Sequence, residues 1–351
     1  MFSLIIINQM LIILLYISVI SITLIFIQSK YLFLVDAPKE RNHKSKYNKN
    51  TPLIGGIYLF ITIATYMPYT EYTSYSILII SFLFSFLALG IFSDLKANFS
   101  PKLRLILQFI LVIIFLYFLD LKINKTGLFF LDSFISNFYF NIIFSSLCIV
   151  ILINGSNFCD GVNCNVIGYY LIVTLAIFFM DFPKPDNLPD LKIILIIFFL
   201  FYLINLFQRS FLGDNGVYVI TIFISVYVIS YINLNKGISP LLALNLLWYP
   251  AFENLFSILR RLNNNRTIDV ADRFHFHTLL LKKIFYLNKN FYLSNSLTGI
   301  LLNLFVCTGI FFSINYYNDS KILMLILIIN VLIYVLFYFI YLSRKPRFKL
   351  R

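Results

Sequence analysis

The sequence predicts an all-α integral membrane protein with about eleven transmembrane helices, and three observations carry that expectation. Of the 351 residues, 60% are apolar and only 12% are charged, about half the charge that a soluble chain uses to cover its surface. At about 20 residues per bilayer crossing, the apolar fraction supplies roughly ten helices. The charges are also confined. They leave eleven uncharged runs, at residues 2–29, 50–70, 72–93, 105–119, 133–159, 161–180, 193–208, 215–235, 237–252, 290–318 and 322–343.

Taken in order, the first run lacks the basic n-region and small-residue cleavage site of a signal peptide, so residues 2–29 are expected to remain as the first helix. Shorter runs such as 105–119 reach spanning length with flanking Lys, Arg and Asp that snorkel at helix ends. Eleven spans put the termini on opposite sides. With residue 1 outside, the inner connections hold 22 of the 28 Lys and Arg residues. The outer ones hold Lys122, Lys125, Lys184, Lys192, Lys236 and Lys321. The positive-inside rule therefore predicts an external N-terminus and a cytoplasmic C-terminus. The net charge of +13 then reflects topology, and no nucleic-acid partner is expected. Residues 1–351 read as a single polytopic domain with cytoplasmic loops near 30–50, 93–104, 154–165, 208–216 and 258–290. The four cysteines read as small apolar fillers, with no Cys-x-x-Cys pair.

Carboxylates near membrane depth are costly and point to function. Three stand out: Asp94 in GIFSDLKANFSPKLRL, Asp160 in INGSNFCDGVNCNV and Asp214 in FLGDNGVYV. All fall on the predicted cytoplasmic side, each is followed by small or polar residues and a new helix, and together they describe a divalent-cation site. Mg²⁺ takes a few carboxylates plus phosphate oxygens, which suggests a phosphate-bearing substrate. Lys102, Arg104, Arg260, Arg261, Arg266 and Arg273 provide cations suited to a pyrophosphate, although topology alone also accounts for basic residues there. His275 and His277 would project 200° apart on a helix, so phosphate contact or proton transfer fits them better than a shared metal, unless the segment is a loop or strand. Gly55 and Gly56 suit close helix packing or approach to a phosphate. Asn154 and Asn157 offer groups for a sugar or base, or for helix capping.

In order along the chain, these motifs resemble the polyprenyl-phosphate N-acetylhexosamine-1-phosphate transferase family. DAPKER with TPLIGG is similar to the family's first cytoplasmic loop, and SDLKANFSPKLRL to its Asp-Asp segment and Ser-x-Lys-x-Arg stretch. NGSNFCDGVN resembles its Asn-x-x-Asn-x-x-Asp-Gly-x-Asp-Gly signature, FLGDNG its Phe-x-Gly-Asp-x-Gly loop, and ADRFHFHTLL its Asp-Arg-x-His-x-His-His loop.

The resemblance implies a multi-pass enzyme of a bacterial plasma membrane with its active site facing the cytoplasm. It would move a sugar 1-phosphate from a UDP-sugar to undecaprenyl phosphate, with Mg²⁺ or Mn²⁺, and so begin a lipid-linked envelope glycan. Asp214, with Gly213 beside it, would hold the metal on the donor pyrophosphate, and Asp94 would act near the lipid phosphate as base or metal-side carboxylate. Asp160 and Asn163, with Asn154 and Asn157, would bind the nucleoside and sugar. Arg273, His275 and His277 would hold the phosphates or the leaving group, with Lys102 and Arg104 as the substrate-binding cations already noted. The chain departs from the pattern at Ser93, at Asn163 followed by Cys164, and at Thr278, which leaves an inactive relative as an alternative. Two further readings stay open, a peptidoglycan-precursor phospho-MurNAc-pentapeptide transferase and a polytopic lipid or solute transporter, and so does a homodimer.

Overall fold

A computed structural model describes residues 16–20, 23–24, 34–36, 51–67, 73–96, 99–263 and 274–343. A two-stranded antiparallel ribbon pairs β1 (Val35–Asp36) with β2 (Thr51–Pro52), Val35 opposite Pro52 and Asp36 opposite Thr51. The remainder is helical: α1 (Gly55–Tyr66), α2 (Thr73–Leu95), α3 (Pro101–Leu119), α4 (Phe129–Ile135), α5 (Phe138–Cys159) and α6 (Asn165–Phe179), then α7 (Leu191–Leu206), α8 (Gly213–Leu234), α9 (Leu241–Asn263), α10 (Phe276–Asn288), α11 (Phe291–Asn315) and α12 (Ser320–Ser343).

Six of these, α2, α3, α5, α8, α11 and α12, are long and apolar enough to cross a bilayer, and α1, α6 and α7 are shorter apolar helices. The protein is thus an all-helical integral membrane protein. The polar punctuation between runs starts the helices. Asn137 accepts from the Phe140 N–H, Asp190 from that of Lys192 and Asn290 from that of Leu293, while Pro101 occupies the first turn of α3, where its missing N–H costs nothing.

Two predicted boundaries are corrected. Run 133–159 is not one helix, because the chain breaks between α4 and α5 where Asn137 caps the latter. The cytoplasmic loop expected near 258–290 is helical over 258–263 and over Phe276–Asn288. α9 continues to Asn263 and carries Glu253 and Asn254 as buried residues, so its charged half packs against protein instead of forming a loop. Most of the first run, 2–29, lies outside the described residues.

The central helix is α8. It is apolar on all sides and buried along most of its length, as expected of a helix enclosed by others, and it packs against α1, α2 and α5. α3 and α12 are the least buried of the spanning helices and turn broad apolar faces outward. Pro250 interrupts α9, where a missing N–H would orphan the carbonyl of Leu246. The Tyr169 hydroxyl on α6 donates to that carbonyl at 2.6 Å, so the break is satisfied inside the bundle.

Candidate active site

Three helix ends meet. Asp94 lies in the last turn of α2, Asp160 caps the C-terminus of α5 and Asp214 sits in the first turn of α8. All three line one cavity of about 380 Å³ together with Ser93, Gly161, Asn163 and Gly213. The sequence separates these carboxylates by up to 120 residues, and packing of α8 against α2 and α5 unites them.

Each acid is held differently. Asp94 faces the N-terminus of α8. Its Oδ1 accepts from the Asp214 N–H at 3.0 Å, and its Oδ2 from the Asn215 N–H at 3.1 Å and the Asn215 side-chain amide at 2.5 Å. It is therefore the capping carboxylate of that helix, where the helix dipole favours negative charge. Asp214 receives Asn157 Nδ2 on Oδ1 at 2.9 Å, and on Oδ2 the Ser93 hydroxyl at 2.6 Å, Arg104 Nη1 at 3.1 Å and the Tyr218 hydroxyl at 3.4 Å. Burial first, then the charges of Asp214 and Asp94, pushes Asp160 up to about 8. Gly213 starts α8 at φ +70°, and a side chain there would also crowd Asn215 and Asp94.

The three carboxylates and the Ser93 hydroxyl on the cavity wall offer the oxygen ligands that a hard cation takes. Arg104 is paired with Asp214, and three carboxylates crowd the cavity, so a divalent ion would offset the burial and, after it, the carboxylate charges that raise Asp160. Among the described residues no group of three His, Cys, Asp or Glu side chains forms a closed metal cage. Mg²⁺ does not need one, since it commonly takes one or two carboxylates with substrate oxygens and water. Donors already engage both oxygens of Asp94 and of Asp214, so Asp160, which receives the Gly213 backbone N–H, is the most open of the three to an ion.

The two histidines lie behind the Asp160 loop. His275 is the extended N-cap of α10 and His277 lies in its first turn, so the 200° separation expected on a continuous helix does not arise. Their rings stack with centroids 5.6 Å apart, and Phe158 lies 5.2 Å from His275. A Cβ on Gly161 would come within 2.0 Å of His277 Nε2, so the loop after Asp160 touches the imidazole through a bare Cα. Burial, reinforced by His275, holds His277 down to about 3, which keeps it neutral. Arg261 places its guanidinium over the Phe158 ring at 5.4 Å.

Other nominated residues divide. Asn163 lines the cavity and its backbone N–H donates to Asn295 Oδ1 at 2.9 Å. Asn157 reaches the site as a partner of Asp214. Asn154 does not, because its amide donates to Gln108 Oε1 on α3 at 2.9 Å and to its own helix. Lys102 is exposed at the start of α3. Gly55 and Gly56 serve helix packing, with the Gly56 N–H donating to Asn215 Oδ1 at 2.7 Å. Arg273, Arg266 and the basic loop around Arg41 and His43 lie outside the described residues. Cys164 is more than a filler. It adopts φ +65° at the start of α6, where the signature has Gly, and is held by Asn205 Oδ1 on its N–H and Asn303 Nδ2 on its carbonyl. Glu253 was missed, although a lone carboxylate bordering the uncharged run 237–252 was signal enough.

A polytopic helical bundle with carboxylates gathered at helix ends describes a membrane-embedded enzyme of phosphate chemistry. Residues 74–232, which contain α2 to most of α8 and all three aspartates, match the model of glycosyl transferase family 4. The chain is also similar to a probable undecaprenyl-phosphate N-acetylglucosaminyl 1-phosphate transferase of Bacillus subtilis (strain 168), 27% identical over 260 residues, 70% of this chain and 69% of the relative. Over residues 74–232 the chain is thus similar to glycosyl transferase family 4.

Proposed function

We propose that the protein transfers an N-acetylhexosamine 1-phosphate from a UDP-sugar to undecaprenyl phosphate on the cytoplasmic face of a bacterial plasma membrane, releasing UMP. The observation that carries this reading is the convergence of Asp94, Asp160 and Asp214 in one cavity beside Arg104. The name of the Bacillus relative supports the undecaprenyl-phosphate acceptor and an N-acetylhexosamine 1-phosphate as the group moved.

An oxygen of the lipid phosphate attacks the sugar-bearing phosphorus in line. A new P–O bond forms to the lipid, the bond to the UMP oxygen breaks, and UMP leaves with that electron pair. Mg²⁺ held by Asp160 and Asp214, with Asp94 beside them, would neutralise the pyrophosphate. Arg104, Ser93, Asn157 and Tyr218 fix the Asp214 carboxylate so that no reorganisation is needed during transfer. Asp94 sets the position of α8 and of Asp214. His275, His277 and Arg261 flank the Asp160 loop from the side and suit the departing phosphate.

An apolar cavity of about 410 Å³ between α5, α8, α9 and α12, lined by Ile149, Leu152, Val228, Leu247 and Phe252 among others, suits an isoprenoid. On α5 its end nearest the carboxylates is Leu152, eight residues before Asp160 and about 12 Å along the axis at the helical rise. The eleven-span topology with an external N-terminus, the single-domain organisation and initiation of an envelope glycan belong to the same proposal. The test is incubation of purified protein with Mg²⁺, undecaprenyl phosphate and a panel of UDP-sugars. UMP with a lipid-linked sugar is expected from one donor. Failure of every donor, under conditions where the Bacillus relative turns over, overturns the reading.

A further inference from the structure

Glu253 is a carboxylate outside the cavity and is only 1% exposed. Burying a charge in a helical bundle costs several kcal/mol unless partners compensate it, and apolar residues of the same volume usually stabilise as well or better. Here the compensation comes from three elements. Oε1 lies 2.9 Å from His275 Nδ1 and accepts from the Ser257 hydroxyl at 3.5 Å, one turn further along α9. Oε2 accepts from the Tyr334 hydroxyl on α12. Tyr334 has no freedom to move, since it is fully buried among Trp248, Phe252, Phe256 and Phe276.

This arrangement acts on His275. With Nδ1 committed to a carboxylate, the proton sits on that nitrogen and Nε2 is the one left to act, as a fixed carboxylate partner selects one imidazole tautomer. The ring stacks on His277, which lies against Gly161, and on its other side meets Phe158, two residues before Asp160, at a tilt of 35°.

We infer that Glu253, braced by Tyr334, is a positioning residue that fixes the tautomer and orientation of His275 so that Nε2 addresses the phosphates handled at the Asp160 loop. The inference rests on the transferase reading for its ligand, while the tautomer itself does not depend on any substrate.

Two measurements test it. The chain has only three histidines, His43, His275 and His277, so ¹⁵N-histidine solid-state NMR of the protein in lipid vesicles resolves each ring, with His43→Gln and His277→Gln assigning the signals. His275 is expected to be protonated at Nδ1 in the wild type and to lose that preference in Glu253→Gln. In the transferase assay, Glu253→Gln is expected to lower kcat about 10- to 100-fold, the usual effect of removing such a partner, with KM for the UDP-sugar within about two-fold. Tyr334→Phe should lower kcat a few-fold in the same sense. A wild-type His275 found mainly as the Nε2–H tautomer overturns the inference, as does Glu253→Gln that melts earlier yet keeps wild-type kcat. If Glu253→Gln does not fold, the wild-type spectrum and Tyr334→Phe still decide. If the wild type turns over no UDP-sugar, the transferase reading fails while the spectrum still tests the positioning role.

Discussion

Replacing Asp94 by Asn separates capping from chemistry. In the native site the carboxylate accepts from two backbone N–H groups and the Asn215 amide. An Asn side chain has one acceptor oxygen. Turned toward Asn215 it keeps two of the three bonds, and its own NH₂ then opposes the Asp214 N–H. The two retained bonds fall from charge-assisted strength, about 1.5–3 kcal/mol each, to about 0.5–1.5, and the buried donor left without an acceptor costs about 1–3 more. The sum is about 3–6 kcal/mol, part of it the lost attraction between charge and helix dipole.

The consequence reaches the site because the orphaned N–H belongs to Asp214. Asp94→Asn should therefore lower the thermal unfolding temperature in detergent by several degrees and reduce kcat strongly, with donor affinity, measured separately by equilibrium binding, changing less. Asp214→Asn, which leaves the cap intact, should lose activity with a smaller stability change. Equal melting temperatures for wild type and Asp94→Asn would show that the carboxylate does not hold α8. Wild-type kcat in the same variant would remove Asp94 from the mechanism.

Three further outcomes follow from the geometry. Gly161→Ala drives a Cβ to 2.0 Å from His277 Nε2; displacing that imidazole should cost about 1–3 kcal/mol and depress kcat, and an Ala variant with wild-type melting and turnover would contradict the contact. His277 is neutral in the native protein down to about pH 3, whereas in the unfolded chain it binds a proton below about pH 6.5. Its contribution to stability is complete above 6.5 and is lost as pH falls toward 3, about 2 kcal/mol between pH 7 and 5; His277→Gln should remove that part of the pH dependence, measured as the difference between the two melting curves. Arg104→Met takes the guanidinium from Asp214, so Mg²⁺ should activate the variant at a several-fold lower concentration while kcat falls about ten-fold; weaker Mg²⁺ activation would mean that Arg104 is not a competing cation.

Much of the site was legible because membranes make polar residues expensive. Asp94, Asp160 and Asp214 each stand at the edge of an uncharged run, and that position alone marked them. Arg104 was marked by proximity in sequence to Asp94. The failures have local causes. Glu253 was passed over because it borders the uncharged run that ends at residue 252, although α9 continues for three more turns beyond it. The separation computed for His275 and His277 assumed a helix, but His275 is an N-cap with extended backbone. Asn154 and Asn157 looked alike as short amides one turn apart, and only packing sends one to Gln108 and the other to Asp214.

Composition and charge placement determined that this chain lives in a bilayer as helices, because about 12% charge cannot clothe a soluble surface and lipid tolerates only backbone that bonds to itself. They also determined which acids stand at helix ends. The partnerships were decided by tertiary structure alone: Asp94 with the N-terminus of α8, Ser93 and Arg104 with Asp214, and Glu253 with His275 and Tyr334. The physical reason is range. Hydropathy and capping act over a few neighbouring residues, whereas these contacts join residues 22 to 121 apart, and they form only when α8 and α9 are enclosed by the helices around them.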